Sequence, residues 1–379
     1  MSAAKPLLAA GVMSGTSLDG VTAALARFEE PTAGRFHAHF LAQRTIPFGA
    51  RREAQVRDAL ARGGTRELAL LHTDLGEWFA ECVETLCDDA GVAAASLAFV
   101  GSHGLTVWHE PRRTSWQLGN PAVLAERLGV AVVSDFRSRD VAAGGEGAPL
   151  VPRADRLLFS REDAPRALLN LGGIANFTVV PAAGDAAELI ALDAGPGVMV
   201  IDTCVRRLFP GHTYDQDGRI ARSGRVLGAI IDGVLAQPYF SAPPPKSTGR
   251  ELFGDRFTDG FIARCLEAGA TPEDIVATAT ELTARAIGAA AQLIPPALAP
   301  RDVLRSGGGA RNPALVDALV RAWPGVEQRD FGAVFFDGEA KEAVAFAFLG
   351  YLTWTGRTGN EPGATGSRGP RILGSITPA

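Results

Sequence analysis

The chain has 379 residues, 46% of them apolar and 21% charged, with a net charge of −5. That balance excludes disorder for the bulk of the chain and suits two domains of about 100–200 residues each. There is no basic tail or stripe, since Arg137 and Arg139 stand between Asp135 and Asp140, so nucleic-acid binding driven by phosphate neutralisation is excluded.

Cys82, Cys87, Cys204 and Cys265 form no Cys-x-x-Cys pair, and a chain of this length needs no disulfide staples. They read as reduced thiols. His37, His39, His72, His103, His109 and His212 lack dense metal-ligand spacing, so a structural zinc site is not expected. The apolar residues 7–13 superficially resemble a signal-peptide core but run straight into a Gly/Ser/Thr turn, which fits a first buried strand better. No apolar run reaches the ~18 residues of a membrane span. A soluble, cytoplasmic protein is expected. The 44 glycines exceed the usual share of about 7% and stand either for low-complexity filler or for many tight turns.

Residues 7–12 predict a strand, 13–20 a turn and 21–26 a second strand. Apolar positions 68, 71, 75, 79, 83 and 86 step by three and four, which predicts a helix. A buried strand follows at 97–101, then a turn at His103-Gly104, a helix after Gly-Asn-Pro at 119–121, and a strand at 130–134. The Gly/Pro-rich stretch 141–152 predicts a domain boundary. The second region opens like the first: apolar residues 168–171, a turn at Gly172-Gly173, and a strand at 174–180. A strand at 189–192 ends in Asp-Ala-Gly-Pro-Gly at 193–197, with a helix after it. A strand at 303–305 runs into Gly307-Gly308-Gly309, a helix covers 313–322, and a last apolar helix covers 339–354. Alternating strands and helices predict an α/β protein. The matching openings, about 160 residues apart, hint at two domains of one topology.

Three places can carry chemistry. The turn at 11–20 can aim backbone N–H groups and hydroxyls at an anion, or it can be an ordinary hairpin. It has neither the Walker nor the Rossmann spacing. Asp193 ends a predicted strand, where carboxylates face the ligand crevice of α/β folds, or it caps the next helix. Gly307-Gly308-Gly309 lets a nucleotide approach the backbone closely. Asp215 and Asp217 look like the start of a calcium loop, but the rest of an EF-hand is absent and a turn is the better reading. Residues 246–251, after three prolines, form either a phosphate contact or a solvated loop.

Together these motifs resemble the anhydro-N-acetylmuramic acid kinases. The carriers are Gly-Val-Met-Ser-Gly-Thr-Ser-Leu-Asp-Gly at 11–20, Gly-Ser-His-Gly at 101–104, His-Glu-Pro at 109–111, Gly-Asn-Pro at 119–121, Asp-Phe-Arg at 135–137 and Arg-Asp-Val-Ala-Ala-Gly-Gly at 139–145. Then come Gly-Ala-Pro-Leu-Val-Pro at 147–152, Asn-Leu-Gly-Gly at 170–173, Asp-x-Gly-Pro-Gly at 193–197, Pro-Lys-Ser-Thr-Gly-Arg-Glu at 245–251, Gly-Gly-Gly-Ala at 307–310 and Lys-Glu-Ala at 341–343. They stand in order along nearly the whole chain.

The resemblance implies two ribonuclease-H-like domains of the actin/Hsp70/sugar-kinase type with ATP in a central cleft. The expected division is 1–140 plus 340–379 for domain I and 141–339 for domain II. It implies opening of the 1,6-anhydro ring of anhydro-N-acetylmuramic acid with phosphorylation of O6, in peptidoglycan recycling. Asp193 would be the base. Ser14, Gly15, Thr16, Ser17, Asp19, Gly20, Gly172, Gly173, Gly195, Gly197, Gly307, Gly308 and Gly309 would hold ATP, with Asp19 near Mg²⁺. His103, Thr106, Arg139 and Glu342 would hold the sugar, Arg139 by pairing with its lactyl carboxylate. A homodimer is also implied, and no membrane or nucleic-acid partner. Departures from the family pattern are Leu105 where Gln is usual, Val198 where Asn is usual, and residues 334–337 where Ile-Pro-Pro is usual. The other readings are a kinase for a related amino or anhydro sugar, and a non-catalytic ATP/sugar-binding protein on the same fold.

Overall fold

The computed structural model describes residues 5–15, 18, 20–244 and 246–379. The chain divides into two units, residues 1–159 with 340–379, and residues 160–339.

The first unit is built on one mixed sheet. Its strands are β1 (Leu7–Ser14), β2 (Gly20–Thr32), β3 (Arg35–Pro47), β4 (Phe99–Glu110), β5 (Thr114–Leu118) and β6 (Val132–Ser134). A short C-terminal strand, Ser375–Thr377, pairs antiparallel with β6. From β6 the order runs β6-β4-β1-β2-β3, with β5 on β4. β1, β2 and β3 are consecutive antiparallel strands, so tight turns suffice between them. β1, β4 and β6 run parallel and need crossovers. The helices Gly49–Arg62 and Thr65–Asp89 make the first crossover, and the helix Pro121–Leu128 lies on the second.

The long strand β3 and the hairpin β4–β5 depart from the sequence expectation. His103-Gly104 is not a turn: β4 runs through it, and the ladder to β1 skips His103 as a bulge. The small residues there mark that bulge rather than a chain reversal.

The apolar helix Lys341–Trp354 packs against the sheet and contributes Phe348 and Tyr351 to an aromatic cluster with Phe28 and Phe36. It lies so close that a Cβ on Gly11 would sit 1.9 Å from the Ala343 carbonyl oxygen. Gly11→Ala therefore meets backbone, which cannot swing aside. The variant is expected to lose about 1–3 kcal/mol of stability, the usual cost of overpacking, measured by urea unfolding.

The second unit holds β7 (Arg166–Leu171), β8 (Ile174–Val180), β9 (Ile190–Pro196), β10 (Asp302–Ser306) and β11 (Glu327–Asp330), in the order β9-β8-β7-β10-β11. β7, β8 and β9 are antiparallel neighbours, while β7, β10 and β11 run parallel. Each unit thus places its strands third-second-first-fourth-fifth, counting β6 as the fifth. This is the ribonuclease-H-like arrangement, and it appears twice. The core of the second unit is closed by the helix Pro272–Ala291, whose residues are buried around most of its circumference. That helix starts with a capping box between Thr271 and Asp274. An Ala- and Thr-rich helix buried on most sides shows only a narrow polar edge, with Glu281 and Arg285 on it, and the sequence reading missed it.

The boundary at 140/141 is corrected to 159/160. The Gly/Pro-rich stretch is tied into the first unit by a buried carboxylate. Asp140 accepts hydrogen bonds from Asn360 Nδ2 (2.8 Å), Thr365 Oγ1 (2.8 Å) and the Gly147 amide (2.9 Å). Arg153 pairs with Glu361 at 2.7 Å, and Lys341 with Asp155 at 3.0 Å. Glycine and proline here shape an irregular but packed segment rather than a linker. Among the described residues no helix is long and apolar enough to cross a membrane.

Candidate active site

In α/β sheets ligands gather outside the carboxyl ends of the parallel strands. In the first unit those ends bring up Ser14 from β1, the bulge at His103 in β4, and the segment after β6 that carries Arg137. Ser14 is buried and its hydroxyl donates to the Gly20 carbonyl at 2.7 Å. The Gly15 carbonyl accepts the Leu18 amide at 3.2 Å. Thr16, Ser17 and Asp19 lie outside the described residues.

His103 stacks on Phe346 with ring centroids 4.2 Å apart. Its Nδ1 faces the Gly104 carbonyl at 3.1 Å, and its Nε2 accepts from Arg137 Nε and Nη2 at 3.1 and 3.0 Å. The ring therefore carries its proton on Nδ1 and is neutral. Burial holds the imidazole down at about 3, and the Arg137 charge adds to that. Burial also pushes the Arg137 guanidinium down to about 10, against the opposing pull of Glu342. Arg137 was not among the sequence-derived site residues. Its signal was the Asp-Phe-Arg motif itself, but only the fold brings its side chain to His103.

Above pH 6.5 the unfolded and folded chains both hold His103 neutral. As pH falls below 6.5 the unfolded chain takes up a proton that the folded chain refuses. Stability is therefore lost on acidification, by at most ~1.4 kcal/mol per pH unit from this residue. In His103→Asn that slope is expected to flatten between pH 6.5 and about 5, as read by urea unfolding across the range.

Thr106 lies on β4 and its hydroxyl accepts from Gln117 Nε2 at 3.3 Å. Arg139 is exposed on the short helix Ser138–Ala142, and Glu342 is exposed in the first turn of the helix Lys341–Trp354. Leu105 is fully buried in the core of the first unit, where a hydrocarbon side chain is the compatible choice. Its substitution for Gln is thus a core feature in this chain.

In the second unit, Asp193 stands within β9 rather than at its end, because the strand continues to Pro196. The ladder pairs Asn176 with Asp193 and Ala175 with Gly195, so Ala194 is bulged. Bulges re-aim neighbouring side chains. Asp193 Oδ2 accepts the Thr248 amide at 2.9 Å, its amide donates to the Lys246 carbonyl at 3.0 Å, and its carbonyl accepts the Tyr239 hydroxyl at 2.7 Å. Lys246 is itself buried and sits 4.7 Å from the Tyr239 ring centre. The start of the segment after the prolines wraps around Asp193 through Lys246 and Thr248, while Ser247, Arg250 and Glu251 stay exposed to solvent. Thr248, Lys246 and Tyr239 were missed because their relation to Asp193 spans about fifty residues. Burial raises the Asp193 carboxyl above its ordinary range, the Thr248 amide opposes this, Glu251 adds to it and Lys246 opposes it.

Gly172 and Gly173 turn their carbonyls onto the helix Val198–Leu208. They accept the amides of Val198 (2.9 Å), Gly197 (2.9 Å) and Met199 (3.2 Å). Those amides, the natural anion donors of a helix N-terminus, are thereby engaged. A Cβ on Gly197 would lie 2.0 Å from the Gly172 oxygen, so this position is set by close packing of two chains. Gly195 is likewise buried. Val198 packs against Gly309.

Gly307, at φ +83°, follows β10 directly and opens a cavity of about 380 Å³. Arg305, Ser306, Arg311, Asp330 and Glu339 supply most of its polar lining. Residues 334–337, where the family pattern is broken, reach this cavity through Asp337. Gly308 faces open space and Gly309 is packed under Leu171. The size is within the ~300–1,000 Å³ of small-molecule sites, and the mixed charges suit a polar ligand. Asp215, by contrast, caps the Ile220 and Ala221 amides at 2.8 and 3.0 Å, as a turn residue does.

A family model described as anhydro-N-acetylmuramic acid kinase matches residues 8–379. The chain is similar to the anhydro-N-acetylmuramic acid kinase of Nitrosomonas europaea, 39% identical over 376 residues, 97% of this chain and 99% of that protein. It is similar to that of Caldanaerobacter subterraneus subsp. tengcongensis, 37% identical over 389 residues, 98% of this chain and 96% of that protein. Among solved structures, component A of the (R)-2-hydroxyglutaryl-CoA dehydratase of Acidaminococcus fermentans is 14% identical, with 90% of this chain and 96% of that chain covered at TM-score 0.48.

Proposed function

Because the chain belongs to the anhydro-N-acetylmuramic acid kinase family, we propose that Asp193 is the base of its reaction and that the cavity beside Gly307 receives part of ATP. The enzyme is a sugar kinase. It opens the 1,6-anhydro ring of 1,6-anhydro-N-acetylmuramic acid with water and phosphorylates O6, giving N-acetylmuramic acid 6-phosphate and ADP. The observation that carries the role of Asp193 is its setting. A carboxylate within β9 is wrapped by residues 246–248 and raised in proton affinity by burial.

Water attacks the anomeric carbon while Asp193 takes its proton, and the bond from that carbon to O6 breaks. The released O6 attacks the γ-phosphorus, and ADP leaves. Raised proton affinity strengthens Asp193 as an acceptor, provided it is ionised at the working pH. Phosphoryl transfer then depends on positioning and charge stabilisation. Arg305 and Arg311 place positive charge in the cavity wall. His103, kept neutral, orients Arg137 beside the sugar, and Arg139 and Glu342 are assigned to the sugar with them.

Mg²⁺ belongs to the same reading, as the ion that neutralises the phosphates of ATP. Its assigned ligand, Asp19, lies outside the described residues. The described side chains that gather to ligand distance, Glu29, His37 and His39, include two imidazoles and do not suit Mg²⁺, which takes oxygen ligands. A homodimer is likewise proposed, to be checked by sedimentation equilibrium.

The deciding experiment incubates purified protein with ATP, Mg²⁺ and 1,6-anhydro-N-acetylmuramic acid and identifies the product by mass spectrometry. N-acetylmuramic acid 6-phosphate is expected. ATP binding without product points to a sugar-binding protein instead, and product from another anhydro sugar only points to a different acceptor. Unphosphorylated N-acetylmuramic acid contradicts the coupled steps.

A further inference from the structure

Opposed residues of an antiparallel pair share one face of the sheet, and neighbours along a strand alternate. The β2–β3 ladder sets Glu29 opposite His37 and Arg27 opposite His39. These four therefore share a face. Phe28 and Phe36, the adjacent positions, turn the other way onto Phe348 and Tyr351. The sheet pairing thus fixes the backbone under Glu29, His37 and His39 while their side chains reach solvent.

Glu29 Oε1 lies 3.5 Å from His37 Nδ1 and 3.0 Å from His39 Nε2. One ligand atom from each of the three residues lies within 4.8 Å of the other two. A tetrahedral Zn²⁺ held by nitrogen and oxygen at ~2.0–2.2 Å separates its ligand atoms by about 3.3 Å. Two of the three edges already stand near that length, and small rotamer adjustments close the third. Both imidazoles are 58% exposed, so an ion reaches them from solvent and keeps water on its open side.

We propose that Glu29, His37 and His39 form a binding site for a late first-row divalent cation, Zn²⁺ foremost, that ties the edge strand β3 to β2. Two imidazoles and one carboxylate suit Zn²⁺, Ni²⁺ or Cu²⁺, and disfavour Mg²⁺ and Ca²⁺. Arg27, opposite His39, adds a like charge that weakens the site. The four cysteines are all buried and do not compete for the ion. The spacing of the histidines alone gave no metal signal, because the third ligand comes from the paired strand.

The test is calorimetric titration of ZnCl₂ into the nucleotide-free full chain near neutral pH, with thermal unfolding recorded alongside. One Zn²⁺ per chain with micromolar affinity is expected, unchanged by millimolar Mg²⁺, together with a rise in Tm. The double variant His37→Ala/His39→Ala is expected to bind about a hundredfold more weakly and to lose the Tm rise, and Glu29→Gln about tenfold more weakly. All three residues are solvent-facing, so these variants fold. His212→Ala, at an exposed histidine elsewhere, is expected to titrate like the parent. Absence of one-to-one binding overturns the proposal, as does a first binding event that survives in the double variant.

Discussion

Asp193→Asn is expected to lower kcat by about 10²–10⁴-fold, the usual worth of a positioned base, while ATP affinity stays within experimental error of the parent. Asparagine keeps the shape and still accepts the Thr248 amide through its oxygen. It cannot accept the proton of attacking water. Turnover by product assay and ATP affinity by calorimetry separate the two quantities, and near-normal turnover refutes the role. The pH profile adds an independent check. Burial raises the folded carboxyl above its ordinary 3.8. A base must be ionised, so activity falls as pH drops through the raised value. The acid limb of kcat/KM should therefore lie above 3.8 in the parent. Neutralising Lys246, which lowers the Asp193 value, should move that limb higher still. A limb below 3.8 contradicts the assignment.

The second large effect concerns stability, at the opposite end of the same sheet. Asp302 begins β10 and is fully buried beside Arg166, which begins β7. Arg166 grips it through Nε at 2.9 Å and Nη2 at 2.7 Å, and Arg161 adds a third bond at 3.2 Å. Burial pushes the Asp302 carboxyl up, but its two arginines outweigh this and hold it below the ordinary range. Asp302→Ala leaves the buried Arg166 charge without its bidentate partner. The expected loss is about 3–5 kcal/mol by urea unfolding. Replacing both members, as in Asp302→Leu/Arg166→Met, is expected to cost less, because no charge is stranded. If the double variant is as unstable as the single one, packing rather than charge explains the loss. The site lies at the carboxyl ends of these strands, so kcat of the folded fraction should change little.

Asp193 was legible in the sequence because Asp-x-Gly-Pro-Gly is a local pattern, and local patterns survive without coordinates. Its partners Tyr239, Lys246 and Thr248 were not, since the contacts that join them are made only once β9 is in its sheet. Arg166 and Asp302 show the same limit: 136 residues separate them, and only the parallel pairing of β7 with β10 makes them one ion pair.

By itself the sequence determined the α/β class, the doubled topology and the family, because hydrophobic periodicity and ordered motifs are short-range properties. Most of the excess glycines proved to be structural, as Gly11 beneath a helix and Gly197 against Gly172 illustrate, and not filler. The tertiary structure decided which glycine carbonyls and amides are already engaged and placed the unit boundary at residue 159. It also turned Leu105 into a core residue and gathered Glu29 with His37 and His39 on one face. The physical reason is common to all of these. Burial, strand register and close approach are set by residues far apart in the chain, and no window of sequence contains both partners.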